Sequence, residues 1–315
     1  MTPRRARPLL SLVVLFVLPM ILGAAVAPQA YRFLAWLSQH VNLGPHFTDP
    51  PFKRVLSRSV LVFVLILLYP AIRMSGITSF RQLGWAENPR RWRVIGLWFA
   101  VGMISMGALY IVSDLAGALY FRPRSTDIVR MIVKWTSMLV GALFIGVFEE
   151  TFFRGYIFGI FRQRLRFWGG AIAASVLFAV LHLARPAAPE WLDPTRWAAG
   201  FRMLPHITDG VQAQYFWPTV INLFLMGILL CMLYDQFGNI YAAIGLHAGW
   251  VWAMGIGTYM FDRSETLRLW ALFGNSETIS MTWLGAIVIL GFIGAAFRLR
   301  RAGAGTGEDA RPTST

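Results

Sequence analysis

Two adjacent glutamates and an arginine lie inside one of the most apolar stretches of this chain. The stretch FIGVFEETFFRGYIFGIF runs from Phe144 to Phe161. An ionisable side chain at the bilayer centre costs roughly 2.5–3.5 kcal/mol on insertion scales, so it is a functional hypothesis by default. Glu150 and Arg154 are four residues apart and share a helical face, whereas Glu149 points ~100° away. We therefore expect a Glu150–Arg154 ion pair, with Glu149 lacking a local partner.

Two of the five histidines, His182 and His247, also fall in apolar stretches. At 1.5 Å per residue, Glu149 lies ~18 Å, His182 ~20 Å and His247 ~10 Å from the predicted cytosolic edge. A carboxylate and two imidazoles can therefore meet in the membrane. A buried glutamate can act as a general base, and imidazoles can hold a water or a metal beside it. The set predicts hydrolysis by activated water, and a purely structural ion-pair cluster is the alternative.

Other intramembrane protease designs fit the sequence less well. The chain has no HExxH pattern for a zincin-type helix. It also has no GxSxG serine elbow. An aspartyl site needs two membrane aspartates, but Asp235 falls at a helix end and Asp114 has no matching motif.

The elements that must position these residues are membrane helices. Of 315 residues, 57% are hydrophobic and 14% charged, against about 25% charged in soluble domains. The composition predicts an all-α polytopic membrane protein with about eight helices and an intramembrane polar site. Candidate spans long enough for a ~30 Å hydrocarbon core lie near 8–28, 57–73, 94–116, 139–161, 168–185, 216–234, 240–260 and 281–297.

The net charge of +14 comes from arginines spread along the span boundaries. Clusters at Arg4–Arg7, Arg73–Arg93, Arg162–Arg166 and Arg298–Arg301 fall on one side if both termini are cytosolic. This positive-inside pattern predicts an integral protein of a bacterial inner (cytoplasmic) membrane, N-in and C-in. The expected partners are the lipid bilayer and a membrane substrate, with no nucleic acid.

We expect one transmembrane domain over residues 1–301 and a disordered tail over 302–315. The first span resembles a signal peptide with a cleavage site at Ala25–Ala27. Its apolar part of about 20 residues exceeds the 7–15 of a signal sequence, so we expect a retained helix. The single cysteine, Cys231, lies inside a span, so no intrachain disulfide can form.

Three motifs, in order, resemble those of a known family. The hexapeptide Glu149–Arg154 is similar to the EExxxR motif of the CPBP family, the CAAX-protease and bacteriocin-processing (Abi) intramembrane endopeptidases. Residues Phe178–His182 resemble its FxxxH motif, and Asn222–Gly227, Gly238–Asn239 and His247 resemble its third block. The resemblance covers roughly residues 130–255.

The resemblance implies a glutamate-dependent peptidase of eight helices with a site open to the cytosol. Glu149 would be the water-activating base, with Glu150 and Arg154 as its supporting pair. His182 and His247 would position water, metal or oxyanion. A divalent metal such as zinc, held by Glu149, His182 and His247, is compatible with this set, and the sequence leaves metal dependence open.

Phe178 lies one turn before His182 and would shield it, although an ordinary packing role fits it equally. The expected substrate is a peptide bond of a membrane-associated protein or peptide. Nothing in the sequence specifies which one.

One position departs from the family pattern. The family commonly has asparagine four residues after its last histidine, as an oxyanion donor, but here Val251 follows His247. Losing one such donor costs about 2.7–4 kcal/mol in serine proteases. Asn222 is a candidate substitute, with helix–helix hydrogen bonding as its alternative role. A non-catalytic scaffold or immunity-type member therefore stays open beside the peptidase. A transporter that uses Glu149 and the histidines as a proton relay is a third interpretation, but the sequence lacks the internal repeat symmetry expected of one.

Overall fold

The computed structural model describes residues 7–41, 50–210, 216–264, 270–273 and 282–305. These residues are 79% helical. The α-helices are α1 (Pro8–His40), α2 (Phe52–Met74), α3 (Arg91–Leu115), α4 (Ile128–Glu150), α5 (Gly159–His182), α6 (Ala199–Met203), α7 (Phe216–Phe237), α8 (Tyr241–Met260), α9 (Trp270–Phe273) and α10 (Trp283–Gly305). A π-helix, Thr151–Phe158, joins α4 to α5, and short 3-10 helices cover Phe80–Leu83 and Leu204–His206.

The predicted spans fall largely on these helices, although the fourth, 139–161, runs from α4 through the π-helix into α5. The all-α polytopic fold class is confirmed. Among the described residues, five helical runs are long and apolar enough to cross a membrane, and α10 adds a shorter apolar stretch, Trp283–Arg298. The first helix differs from its prediction: it continues to His40 through Pro19 and Pro28 instead of ending near residue 28. Large apolar side chains such as Tyr69 and Phe144 point outward from the helices, as expected where lipid covers them.

The fourth and fifth predicted spans, 139–161 and 168–185, are separated by a break in α5 at Arg166, which falls inside their predicted boundary. Arg166 has φ 58° and ψ −171°, a backbone region that is costly for any residue but glycine, by about 1–3 kcal/mol. The π-helix within the fourth span was not predicted, because apolar residues fill both faces of that stretch and conceal its period.

The contacts divide the chain into two compact units, Met1–Thr78 with His182–Gln212, and Ser79–Leu181 with Ala213–Thr315. In the first unit α1 and α2 pack as a pair, where the rings of Tyr31 and Phe52 meet edge to face at 5.9 Å. The short helix α6 packs on α1 through Gly200, where a side chain would collide with the main chain of Ala24.

The second unit contains the remaining spans. Its largest helix pair is α3 with α8, and α4 packs on another side of α8. Two short strands, β1 (Leu119–Phe121) and β2 (Phe261–Arg263), pair antiparallel and link the ends of α3 and α8. Helix α8 thus lies at the centre of the unit.

Candidate active site

Glycines allow α3 to approach α8 closely on either side of His247. A side chain at Gly245 would collide with the main chain of Ile95, and one at Gly249 with that of Phe99. Small residues four apart are a common means of close helix packing in membranes. The spacing Gly245-x-x-x-Gly249 therefore fixes the helix face on which His247 is carried.

A third glycine brings the acidic motif to the same helix. A Cβ atom at Gly146 would lie 3.1 Å from the Cβ of Ala248, so α4 and α8 are in close contact there. Gly146 precedes Glu150 by four residues, about one turn. The contact therefore places Glu150 next to the turn that carries His247.

Glu150, Arg154 and His247 form a buried, hydrogen-bonded cluster. Arg154 Nη1 donates to Glu150 Oε1 at 2.9 Å, which confirms the expected pair. His247 Nδ1 lies 2.7 Å from the same oxygen, although 97 residues separate the two in sequence. The side chains of Glu150 and Arg154 are 0% and 1% exposed. Burial of a charge is tolerated when it is paired and hydrogen-bonded, so each member of the cluster depends on the others.

Glu149 lies on the open side of this cluster. Its Oε2 atom is 3.9 Å from His247 Nε2, and its side chain is 23% exposed against 5% for His247. The separation is too long for a direct hydrogen bond, and a water can bridge polar atoms at such a distance. The two adjacent glutamates therefore contact opposite nitrogens of one imidazole.

Phe178 of α5 covers Arg154. The guanidinium carbon lies 4.9 Å from the centre of the Phe178 ring, a cation–π distance. The same ring is 6.5 Å from the His247 ring, at a steep angle. The structure therefore gives Phe178 a defined contact with the cluster, beyond the shielding of His182 that the sequence had assigned to it.

The 3-10 helix Phe80–Leu83 and the residues after it pack on the π-helix. Trp85 Nε1 donates to Thr151 Oγ1 at 3.2 Å, and Thr151 directly follows Glu150. Tyr241 at the start of α8 donates its hydroxyl to Ala86 O at 2.7 Å. This segment therefore joins the motif helix to the helix of His247.

The other predicted site residues lie as follows. Asn222 on α7 is buried, and its Nδ2 donates to Pro218 O at 2.7 Å and Thr282 O at 2.8 Å. These contacts favour the helix–helix role over the oxyanion role. His182 is the half-buried last residue of α5 and is assigned to the first unit. Its place beside Glu149 and His247 stays a prediction.

The residues that the structure describes do not form a complete metal site. Within the described part of the chain, no group of three or more His, Cys, Asp and Glu side chains is spaced to hold a metal ion. Glu149 Oε2 and His247 Nε2 supply two donors, whereas a catalytic zinc commonly has three protein ligands.

The sequence did not predict the hydrogen bond between Glu150 and His247 or the contact of Trp85 with Thr151. The Gly245-x-x-x-Gly249 spacing was the available signal for the first, since it marks α8 as a closely packed helix. No sequence pattern marks Trp85, because its partner lies 66 residues away.

An apolar helical fold with a buried Glu–Arg–His cluster defines an integral membrane protein with an intramembrane polar site. Residues 131–253 match the family model described as type II CAAX prenyl endopeptidase Rce1-like. The match confirms the resemblance to the CPBP, or CAAX protease, family over these residues, and it supports a CAAX-type intramembrane endopeptidase at family level. No curated protein matches the chain in sequence.

Proposed function

We propose that this protein is a glutamate-dependent endopeptidase that hydrolyses a peptide bond of a membrane-associated protein or peptide. The observation that carries the proposal is the bridging position of His247. Its Nδ1 is bonded to Glu150 at 2.7 Å, and its Nε2 faces Glu149 at 3.9 Å. This arrangement separates a buried supporting carboxylate from a partly exposed reactive one.

The bond to Glu150 sets the chemical role of the imidazole. A carboxylate accepts hydrogen bonds, so His247 Nδ1 carries a proton and the neutral ring presents a lone pair at Nε2. A water between Nε2 and Glu149 Oε2 can then donate one hydrogen to each of them. Its oxygen lone pair is left for attack on a carbonyl carbon.

Glu149 is the general base in this scheme. As the water oxygen bonds to the carbonyl carbon, its proton passes to Glu149. Glu149 then gives the proton to the amide nitrogen as the C–N bond breaks, leaving a carboxylic acid and an amine. No covalent enzyme intermediate forms.

Glu150 and Arg154 serve as positioning residues. Both are sealed from solvent, and Arg154 offsets the charge of Glu150 without contacting the water site. The Phe178 ring over the guanidinium keeps water away from this pair. A fixed Glu150 holds the imidazole in one orientation, which is what preorganised catalysis needs.

Cleavage by purified full-length protein in proteoliposomes tests the proposal. Because the matched family is described as a CAAX prenyl endopeptidase, the substrates should include a farnesylated CAAX peptide and its unprenylated counterpart. We expect Glu149→Gln to lower the cleavage rate at least 100-fold, since general-base catalysis contributes typically 10²–10⁴-fold. His182→Ala, tested in parallel, measures whether that histidine takes part.

Glu87→Gln is the matched control, because it removes an exposed carboxylate outside the cluster. Unchanged cleavage by Glu149→Gln would contradict the assigned base. Chelator treatment of the wild-type protein measures metal dependence separately.

A second candidate function is a non-catalytic member of the same family. Val251 has no donor where the family commonly has asparagine, and the side-chain N–H groups of Asn222 are used by Pro218 and Thr282. In this candidate, neither residue supplies the oxyanion donor. Absence of cleavage of every substrate by a correctly folded protein would favour this candidate.

A further inference from the structure

A basic and aromatic segment of the second unit leads into α3. This basic segment, Ser79–Arg93, has the sequence SFRQLGWAENPRRWR and a single carboxylate, Glu87. Its four arginines are all exposed: Arg81, Arg90, Arg91 and Arg93. The segment therefore presents a net positive charge at the surface of the protein.

The arginines of the basic segment have no ion-pair partner among the residues that the structure describes. Elsewhere in the second unit, the exposed Arg122 and Arg130 are paired with Asp262 and Asp127 at 3.6 and 3.3 Å. In the basic segment the Arg91 guanidinium carbon lies 5.5 Å from the centre of the neighbouring Trp92 ring, a contact that orients the charge without neutralising it. These charges are therefore available to an external anion.

The end of the basic segment lies at the depth of the membrane surface. Helix α3 begins at Arg91 and has 25 residues. Its length of about 37 Å exceeds a hydrocarbon core of ~30 Å, so its first turn extends into the headgroup layer. Trp92 lies in that turn and is 73% exposed, and Phe80 earlier in the segment is 75% exposed. Exposed rings beside arginines are typical of the membrane interface.

The opposite side of the basic segment is held by the protein. Leu83 and Gly84 are buried. A side chain at Gly155 of the π-helix would collide with the Leu83 carbonyl, and Ile240 N donates to Gly84 O at 3.2 Å. The exposed side chains are therefore carried on a fixed backbone, which lowers the entropic cost of binding.

We propose that the basic segment binds anionic phospholipid headgroups of the adjacent leaflet through its four arginines, with Phe80 and Trp92 inserted between the lipids. Arginine binds phosphate oxygens through charge-assisted hydrogen bonds, and basic clusters next to a membrane helix attract anionic lipids. A soluble phosphate would leave both aromatic rings in water. An acidic protein segment would have to displace the lipid that already surrounds the first turn of α3.

Native mass spectrometry of the purified full-length protein in detergent tests this binding. Phosphatidylglycerol and phosphatidylcholine with matched acyl chains are titrated separately, and the lipid-bound fraction gives an affinity for each. The wild-type protein should bind phosphatidylglycerol in preference to phosphatidylcholine. The double variant Arg91→Gln/Arg93→Gln should bind phosphatidylglycerol roughly 30-fold more weakly, at about 1 kcal/mol for each basic residue and about 1.36 kcal/mol for a factor of ten.

Two further variants separate the parts of the proposal. Arg122→Gln/Arg130→Gln removes the same charge from arginines that are paired with carboxylates, so it should leave phosphatidylglycerol binding unchanged. Phe80→Ala/Trp92→Ala removes the rings and keeps the four arginines, so it should weaken binding of both lipids. Thermal unfolding of each variant in detergent verifies that these exposed substitutions leave the fold intact.

Equal affinity of the wild-type protein for the two lipids would overturn the proposal, as would unchanged phosphatidylglycerol binding by the Arg91/Arg93 variant. An equal loss in the Arg122/Arg130 variant would make net charge the cause and would also overturn it. Full displacement by glycerol phosphate would indicate a site for soluble anions, and preferential binding of a polyglutamate peptide would indicate an acidic protein partner; either result contradicts the proposal. None of these measurements depends on peptidase activity, so the outcome is independent of the proposed function.

Discussion

His247 and Glu150 are joined by a 2.7 Å contact between Nδ1 and Oε1, and this contact fixes the orientation of the imidazole. The same oxygen also accepts from Arg154. Glu150 therefore links the only histidine of α8 to the only arginine of the π-helix. Loss of either partner changes the hydrogen bonding of the other.

Arg154→Ala should destabilise the protein and also lower its cleavage rate. The substitution leaves the fully buried carboxylate of Glu150 without its cation, and breaking a buried pair costs about 3–5 kcal/mol. Thermal unfolding in detergent measures the stability, and yield in the membrane gives a second reading. Glu149→Gln is the comparison, because Glu149 is partly exposed and should change stability little. Equal loss of folded protein from both variants would instead support a purely structural ion-pair cluster.

Trp85→Phe should slow cleavage while leaving the protein folded. The variant keeps an aromatic ring for packing on Tyr241 but removes the N–H that donates to Thr151. We expect a several-fold fall in kcat with little change in KM, because Trp85 positions the motif helix without touching substrate. Thr151→Val removes the acceptor and should have the same effect. If the two single variants lower kcat by different factors, and the double variant Trp85→Phe/Thr151→Val shows the product of both, the Trp85–Thr151 hydrogen bond is not the cause.

Val251→Asn should raise the cleavage rate. Val251 lies one turn beyond His247 on α8, so an amide there projects towards the region that His247 faces. The gain could reach one or two orders of magnitude, since each 1.36 kcal/mol is tenfold in rate. Val251→Leu controls for bulk without a donor. Asn222→Ala should lower stability through its two lost carbonyl contacts; a severe loss of rate with stability intact would restore Asn222 as the oxyanion donor.

Reporter fusions test the orientation of the chain. Fusions at Arg91, Arg164 and Arg301 should read cytosolic, and fusions at Asp193 and Glu265 should read outside, as the positive-inside pattern predicts. A cytosolic signal from Asp193 would contradict the order of spans between α5 and α7. Glu265 lies outside the described residues, so the prediction for its fusion rests on the sequence alone.

Much of the fold was predictable because long apolar segments with few charges identify membrane helices in a sequence. The predicted spans fall largely on helices, and the Glu150–Arg154 pair followed from spacing alone. The boundary between the fourth and fifth predicted spans, residues 162–167, contains the break at Arg166. The positive φ of Arg166 was not predictable, because a single residue leaves no periodic signal in the sequence.

The sequence predicted which residues form the site better than it predicted the contacts between them. The sequence grouped Glu149, Glu150, Arg154 and His247 by resemblance and depth, and the structure brings these four together. The sequence did not indicate that the His247 imidazole contacts both glutamates, because that contact depends on how closely α4 and α8 approach each other. Close approach is set by Gly146, whose role is visible only once its neighbour Ala248 is known.

The π-helix Thr151–Phe158 makes the motif sensitive to the number of its residues, beyond their identity. Its hydrogen bonds run from residue i to i+5, one residue wider than in an α-helix. Removing one residue from this stretch would turn everything after it by about 100° relative to Glu150. Arg154 and the Phe178 ring would then face different neighbours, even with every remaining side chain unchanged. The buried apolar side chains of this stretch set its packing and their number sets its phase, so relatives that keep the site should keep the same count of residues here.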